Sequence, residues 1–310
     1  MNYLEPINQK KLFGLDKFIN ELIQLYEDDN LPNKILLSGQ KGLGKSTLAH
    51  HLVNYVLSKD EEFNYNIDKF EINENNHTYK TILNKSNPNL NIIDVTLEKK
   101  FIDINQVRDL ISNLNKSSFN KKPRFVLIDN IEFLNLNSLN ALLKILEEPT
   151  NNVHFILINS NKKILPTLLS RCINFKITLT NKESLDIANN LLNGRLSEAI
   201  NKDLINYYLT PGNIYNLFKF GEINKYDLLS LNLKEFLKII IKNSHYKKND
   251  PIKYLIFDFV EFYFTKFNFS VSAKFHDKYN YFLKKISDTK KFNLDEESLF
   301  LEFEDKILNG

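Results

Sequence analysis

The chain has 310 residues, of which 43% are hydrophobic and 25% are charged, a composition typical of a globular protein with two or three domains. Its formal net charge of +3 is too small for a chain that coats nucleic acid by charge alone, and its single cysteine, Cys172, excludes an internal disulfide and a cysteine-rich zinc site. The N-terminal residues lack an apolar signal core, and the most apolar run, residues 254–264, is too short to span a bilayer. We therefore expect a cytoplasmic protein with no membrane contact.

The first half of the chain alternates short apolar runs with amphipathic segments. A strand predicted at residues 35–38 leads into a glycine-rich loop and then into a helix over 45–57. The polar stretch 58–90 indicates helix fragments and loop. Further strands are predicted at 91–95, 125–129, 154–158 and 173–177, and further helices at 104–114 and 137–148. Because strands that alternate with helices form parallel sheets, we expect an α/β domain with a parallel sheet covered by helices on both faces.

From about residue 180 onward the pattern is helical. We divide the chain into an α/β nucleotide-binding domain (1–178), a small helical domain (179–222) and an all-helical C-terminal domain (223–310). The C-terminal segment "IKYLIFDFVEFYFTKF" is apolar on nearly every face, which is typical of a buried helix. Two explanations stay open: burial in a self-contained bundle, and burial against a partner subunit.

The loop "GQKGLGKS" matches the phosphate-binding pattern G-x-x-x-x-G-K-[ST]. Glycines let successive backbone N–H groups point at one anion, and the following helix adds its positive N-terminal end. The lysine of the pattern reaches the β and γ phosphates, and the serine hydroxyl ligates Mg²⁺. A tight turn without a ligand is the alternative. The residues predicted to bind ATP are Gly39, Gln40, Lys41, Gly42, Leu43, Gly44, Lys45, Ser46 and Thr47.

An acidic residue ends the strand predicted at 125–129. A carboxylate at that position, Asp129, predicts a second Mg²⁺ partner beside Ser46, and a strand-end cap is the alternative. The next residue is Asn130, whose neutral amide cannot take a proton from water. Glu132 would share a side with Asn130 only if the strand continued. We expect the strand to have ended, and we favour loss of hydrolysis over rescue by Glu132.

Three segments carry a resemblance to a known family: "KILLSGQKGLGKSTLA", "FVLIDNIEFLNLNSLNALLKILEEPTNNVHFILINSN" and "ILPTLLSRC". Together they resemble the clamp-loader branch of the AAA+ P-loop proteins, and within it the bacterial DNA polymerase III delta-prime subunits. The match is strong over about residues 10–178 and weak beyond. The resemblance implies a helical lid and a C-terminal collar after the AAA+ domain, with ATP and Mg²⁺ as cofactors. It also implies partners: gamma/tau-type and delta-type subunits, with the sliding clamp and primer–template DNA contacted through the assembled ring.

The same resemblance assigns roles to individual residues. Arg171, in "SRC", would be the arginine finger that reaches the γ-phosphate bound by a neighbouring subunit, and a surface arginine capping a helix end is the alternative. Ser160, or with less support Asn159, would be the sensor that touches the γ-phosphate. Subunits that hydrolyse ATP carry a glutamate where this chain has Asn130. Asn213, in "TPGN", stands where the lid motif carries an arginine.

These departures favour a subunit that binds ATP, hydrolyses it poorly and lends Arg171 to a neighbour. The first alternative is an ATP-hydrolysing gamma/tau-like motor of the same clamp loader. A P-loop enzyme of another class, such as a small-molecule kinase, ranks last because it gives no role to "NALLKILEEP" or "SRC". Whether the chain is itself an enzyme, rather than a component of DNA polymerase III, stays open.

Overall fold

A computed structural model describes residues 4–95, 101–116, 120–147, 152–160, 164–206, 209–247, 252, 255–267, 273–292 and 294–309. The chain divides into two compact units, Met1–Glu183 and Ser184–Gly310. The first unit contains the sheet, and the second is helical.

The first unit is built on a five-stranded parallel sheet with the strand order β2-β3-β4-β1-β5. β4 is buried along its whole length, whereas β5 lies at an edge and is largely exposed. The strands are β1 (Lys34–Ser38), β2 (Leu90–Ile93), β3 (Arg124–Ile128), β4 (Val153–Asn159) and β5 (Ile173–Lys176). The helices of this unit are α1 (Asp16–Glu27), α2 (Lys45–Ser58), α3 (His77–Leu83), α4 (Ile104–Leu114), α5 (Leu136–Glu147) and α6 (Pro166–Leu169).

Helices cover both faces of the sheet because successive side chains of a strand point to opposite sides. In β3, Phe125 and Leu127 pack in one buried cluster with residues of α1 and α2. Val126 and Ile128 pack in another with residues of α4 and α5. A strand buried on both faces is largely apolar, and β3 is apolar from Phe125 to Ile128 and β4 from Phe155 to Ile158. The expected α/β fold is confirmed.

The predicted elements agree closely with the observed ones. The helix predicted at 104–114 begins and ends at those residues, and a capping box between Asp103 and Gln106 closes its N-terminus. The strand predicted at 91–95 ends at Ile93, and the one predicted at 125–129 ends at Ile128. Asp129 therefore lies just beyond its strand, at the carboxyl edge of the sheet.

The second unit is a helical bundle with an aromatic core. Its helices are α7 (Asn181–Leu191, which begins in the first unit), α8 (Leu196–Ala199), α9 (Pro211–Asn224), α10 (Leu233–Lys242), α11 (Ile256–Phe267), α12 (Ala273–Phe292) and α13 (Glu296–Phe303), followed by a π-helical turn at Glu304–Leu308. The apolar α11 is buried within the chain's own core, where Phe259 contacts Phe236 and Phe264 contacts Phe303. The division at residue 222 stays a prediction. Among the described residues, we find no helix long and apolar enough to cross a membrane.

Candidate nucleotide-binding site

The glycine-rich loop connects β1 to α2 through backbone conformations that favour glycine. Gly39 has φ +151°, and a Cβ there would overlap the carbonyl oxygen of Ile177. Gly44 has φ +85° and caps the N-terminus of α2. Glycine adopts such conformations without a steric penalty, so these positions explain why the loop needs glycine. The first N–H groups of a helix have no partner within that helix, so the N-terminus of α2 can supply the donors that an anion site at this loop requires.

The Lys45 ammonium lies inside this loop. Its Nζ donates hydrogen bonds to the carbonyl oxygens of Gly39 (2.9 Å) and Gln40 (2.7 Å), and the residue is only 4% exposed. Burial lowers the pKa of Lys45 to about 8, and the negative charges of Asp129 and Glu132 oppose that shift. A buried cation that donates to neutral carbonyls and lies near carboxylates is suited to pair with an anionic ligand.

A second group of polar side chains meets the loop at the carboxyl edge of the sheet. The Ser46 hydroxyl donates a hydrogen bond to the carboxylate of the half-buried Asp129. The same carboxylate accepts a hydrogen bond from the backbone N–H of Asn130 at 2.8 Å. Burial and the nearby Asp94 carboxylate raise the pKa of Asp129, although these hydrogen bonds and the Lys45 charge oppose the rise. Hydroxyl and carboxylate oxygens side by side, with a second carboxylate near, fit the oxygen ligands that Mg²⁺ prefers.

The chain reverses direction immediately after Asp129. Asn130 adopts a left-handed conformation (φ +54°, ψ +47°), and a single 3₁₀ turn, Ile131–Phe133, follows. The Asn130 amide donates to the Asp94 carboxylate at 2.8 Å. The reversal brings the half-buried Glu132 beside β4, where its carboxylate accepts a hydrogen bond from the backbone N–H of Ser160 at 3.3 Å. Glu132 leaves the strand, as expected, but it faces the site.

Arg171 lies at the amino edge of the sheet, the end at which its parallel strands begin, opposite the carboxyl edge. Its guanidinium donates to the carbonyl oxygen of Thr167 (2.7 Å) and to the Glu147 carboxylate at the end of α5 (2.6 Å). β5 runs parallel to β1, with Ile173 paired to Ile35 and Lys176 to Ser38. Arg171 therefore lies before β5, whereas the loop begins after β1. At about 3.3 Å per residue, β5 alone separates these edges by roughly 10 Å.

The structure brings most of the predicted site residues together and separates the rest. The loop residues, Ser46, Asp129 and Ser160 meet at the carboxyl edge. Arg171 does not, and Asn213 lies in the first turn of α9 in the second unit. Their roles stay predictions. Asp94 is a site residue that was not predicted from the sequence, although it follows β2 just as Asp129 follows β3. Carboxyl ends of neighbouring parallel strands share one edge, so this spacing could have identified it.

Comparison with known proteins places these features in a family. The family model described as "DNA polymerase III, delta subunit" matches residues 14–181. The DNA polymerase III subunit delta' of Buchnera aphidicola (subspecies Schizaphis graminum) is 28% identical over 295 residues, covering 88% of this chain and 84% of that protein. The gamma/tau subunit of Mycoplasma genitalium is 26% identical over 248 residues, covering 80% of this chain but only 37% of that protein. The chain thus spans less than half the length of that gamma/tau relative.

A solved structure shares the fold. It is the crystal structure of a DNA polymerase III gamma subunit-related protein from Thermotoga maritima, with a TM-score of 0.53 at 17% identity, covering 91% of this chain and 96% of that one. At this identity the likeness supports the fold alone. The family match covers more than half of the chain and includes the loop, Asp129 and Arg171. The chain therefore belongs to the DNA polymerase III delta-subunit family, as a clamp-loader-type subunit with an AAA+ fold.

Proposed function

We propose that the chain is a delta-prime-like subunit of a DNA polymerase III clamp loader. It binds ATP with Mg²⁺, hydrolyses it slowly, and donates Arg171 to ATP held by a neighbouring subunit while the sliding clamp is loaded onto primer–template DNA. Its partners are gamma/tau-type and delta-type subunits, and it works in the cytoplasm. One observation carries this proposal: a phosphate-binding loop and an arginine of the family motif lie at opposite edges of the same parallel sheet.

ATP binding is supported by the chemistry of the carboxyl edge. The N–H groups at the start of α2 and the Lys45 ammonium would hold the phosphates. Ser46 and Asp129 would hold Mg²⁺, which neutralises phosphate charge when bound. Slow hydrolysis is supported by Asn130, whose amide donates to Asp94 and cannot accept a proton from water.

Donation of Arg171 to another subunit is supported by its distance from the chain's own loop. A guanidinium forks onto two phosphate oxygens and stabilises the charge that develops during phosphoryl transfer. Arg171 is 31% exposed and its Glu147 partner is 52% exposed, so the ion pair is one that water screens. The arginine can therefore leave Glu147 for a phosphate at little free-energy cost.

An ATP-hydrolysing gamma/tau-like motor is the second candidate. The observation that favours it is the position of Glu132, whose carboxylate accepts a hydrogen bond from Ser160 and whose charge acts on Lys45. The two candidates differ in the turnover of the isolated chain, which is brisk for a motor and slow for a finger donor.

The decisive experiment identifies the partners. The chain would be purified with an affinity tag from its own host, and co-purifying proteins would be identified by mass spectrometry. We expect gamma/tau-type and delta-type subunits in a stable complex, and none on an unrelated bait with the same tag. Absence of these subunits, together with failure to assemble when purified subunits are mixed, would refute the proposal.

A further inference from the structure

We infer that Glu132 is the residue that accepts the proton of the attacking water in this chain's own slow ATP hydrolysis. The inference rests on the proposed function, because it requires ATP at the loop of residues 39–46. It assigns a role to a carboxylate that lies three positions after Asp129 rather than immediately after it.

The residue directly after Asp129 is unsuited to this role for two reasons. An amide is not a proton acceptor at neutral pH. The Asn130 side chain is also held by the Asp94 carboxylate, at 2.8 Å. A glutamate at position 130 in the same rotamer would set two carboxylates against each other, so the asparagine and Asp94 fit as a pair.

The backbone brings Glu132 to the carboxyl edge of the sheet, two positions after Asn130. Asparagine tolerates the left-handed conformation seen at residue 130, and that conformation turns the chain back across the carboxyl edge. Glu132 then lies between the ends of β3 and β4, with its carboxylate on the backbone N–H of Ser160. Its charge also acts on the Lys45 ammonium. The Glu132 carboxylate thus acts electrostatically on the lysine expected to hold the phosphates and is hydrogen-bonded to the residue that follows β4.

The contact with Ser160 is weak enough to leave Glu132 available. Its length of 3.3 Å lies at the outer limit for an N–H···O bond. A carboxylate has several lone-pair sites, so one oxygen can stay on Ser160 while the other binds a water. Catalytic hydrogen bonds are often long before the ligand binds and tighten afterwards.

The proposed step balances in atoms and charge. The water oxygen forms a bond to the γ-phosphorus while the bond from that phosphorus to the β–γ bridging oxygen breaks. The electron pair of the broken bond leaves with ADP. The water proton passes to the Glu132 carboxylate and from there to solvent, giving ADP, inorganic phosphate and one proton.

The test compares Glu132→Gln with a control, Glu21→Gln, which removes one negative charge from an exposed position on α1. The full-length chain would be loaded with radiolabelled ATP and Mg²⁺, and conversion of bound ATP to ADP would be followed over hours. We expect slow conversion in the unmodified chain and the control, and about 100-fold slower conversion in Glu132→Gln. Glu132→Asp, which keeps a carboxylate on a shorter side chain, should retain part of the rate.

Two measurements without turnover accompany the rates. The affinity for a non-hydrolysable ATP analogue should change less than threefold in Glu132→Gln, and the Ser160 amide resonance should shift in this variant but not in the control. Unchanged conversion in Glu132→Gln, no conversion by the unmodified chain, or a loss of analogue affinity above tenfold in Glu132→Gln would each overturn the inference. Failure of the unmodified chain to bind the analogue would instead contradict ATP binding in the proposed function.

Discussion

The two edges of the parallel sheet in the first unit differ in how they hold their charges. At the carboxyl edge, the Lys45 ammonium is nearly buried and bonded to loop carbonyls, beside the half-buried Asp129. At the amino edge, the Arg171 guanidinium is bound to an exposed carboxylate, Glu147. Buried charges need a partner in place, whereas exposed ion pairs are weak and exchange easily with water. The carboxyl edge is suited to binding a ligand within this chain. The amino edge is suited to giving up its ion pair so that Arg171 can bind a ligand held by another subunit.

One parallel sheet therefore presents cationic side chains at two separate edges, Lys45 at one and Arg171 at the other. Parallel strands send all their carboxyl ends to one side, so residues that follow β1, β2, β3 and β4 converge there. Residues that precede the strands, Arg171 among them, are excluded from that convergence by the length of the strands. Substitutions at each edge can therefore be expected to act on different ATP sites.

Substituting Arg171, the cation of the amino edge, should lower ATP turnover more than the other substitutions do, and it should do so only in the assembled complex. We expect Arg171→Ala to lower ATP turnover at the neighbouring subunit's site by roughly 10³-fold, the effect typical of an arginine finger. Arg171→Lys should rescue little, since an ammonium cannot fork onto two oxygens. Turnover of the reconstituted ring and ATP affinity of the isolated variant would be measured. Unchanged ring turnover would show that Arg171 is not a finger.

Removing the cation of the carboxyl edge should act on the chain's own pocket. Lys45→Ala should weaken ATP binding by roughly ten- to a hundredfold, from the loss of charged hydrogen bonds of about 1.5–3 kcal/mol, with little effect on ring turnover. Titration with a fluorescent ATP analogue would measure this, with Lys59→Ala, at the far end of the same helix, as the control. An ATP affinity within twofold of that of the unmodified chain would contradict ATP binding at the loop of residues 39–46. A large loss of ATP turnover by the reconstituted ring would show that ATP hydrolysis in this chain's own pocket powers the ring.

Acid should destabilise the helix that carries the loop. Burial lowers the pKa of both His50 and His51 on α2 to about 4. The His51 Nε2 lies 3.0 Å from the Gln9 carbonyl oxygen, so it donates, and Nδ1 accepts from the Tyr65 hydroxyl at 2.9 Å. The unfolded chain, with histidine pKa values near about 6.5, binds these protons first. The stability is therefore fully present above about pH 6.5 and is lost as pH falls towards 4, by up to about 3 kcal/mol per histidine.

Urea unfolding between pH 7 and pH 4.5 would measure this loss. His51→Gln should flatten the dependence, because one of the two titrating groups is gone. A free energy of unfolding that falls equally steeply in this variant would show that other groups cause the acid sensitivity.

Breaking the ion pair of the amino edge should have the smallest effect. We expect Glu147→Gln to lower the free energy of unfolding by at most about 1 kcal/mol, since both partners are partly exposed, and to leave ring turnover nearly unchanged. Thermal unfolding and ring ATPase assays would measure this. A loss of turnover as large as that of Arg171→Ala would mean that Glu147 positions the arginine rather than merely binding it at rest.

Much of the first unit followed from local sequence pattern. The loop, the flanking β1 and α2, and the buried β3 and β4 all follow from apolar runs, glycine spacing and helical periodicity, which depend on neighbouring residues only. The pairing of Ser46 with Asp129 could also be predicted, because a metal site at a phosphate-binding loop requires oxygen ligands from both elements. The buried helix α11 was identified by its composition. The tertiary structure was needed to show that helices of its own bundle cover α11.

Local pattern was enough to predict the α/β class, the phosphate-binding loop, the acidic residue at the end of β3 and the family. The folded chain was needed to show that Asp94 joins Asp129, that Asn130 faces Asp94 while Glu132 faces Ser160, and that Arg171 lies across the sheet from the loop. Strand order and chain turns are set by packing between distant segments, which neighbouring residues do not encode. A local pattern specifies which elements form, and contacts between them specify which side chains meet.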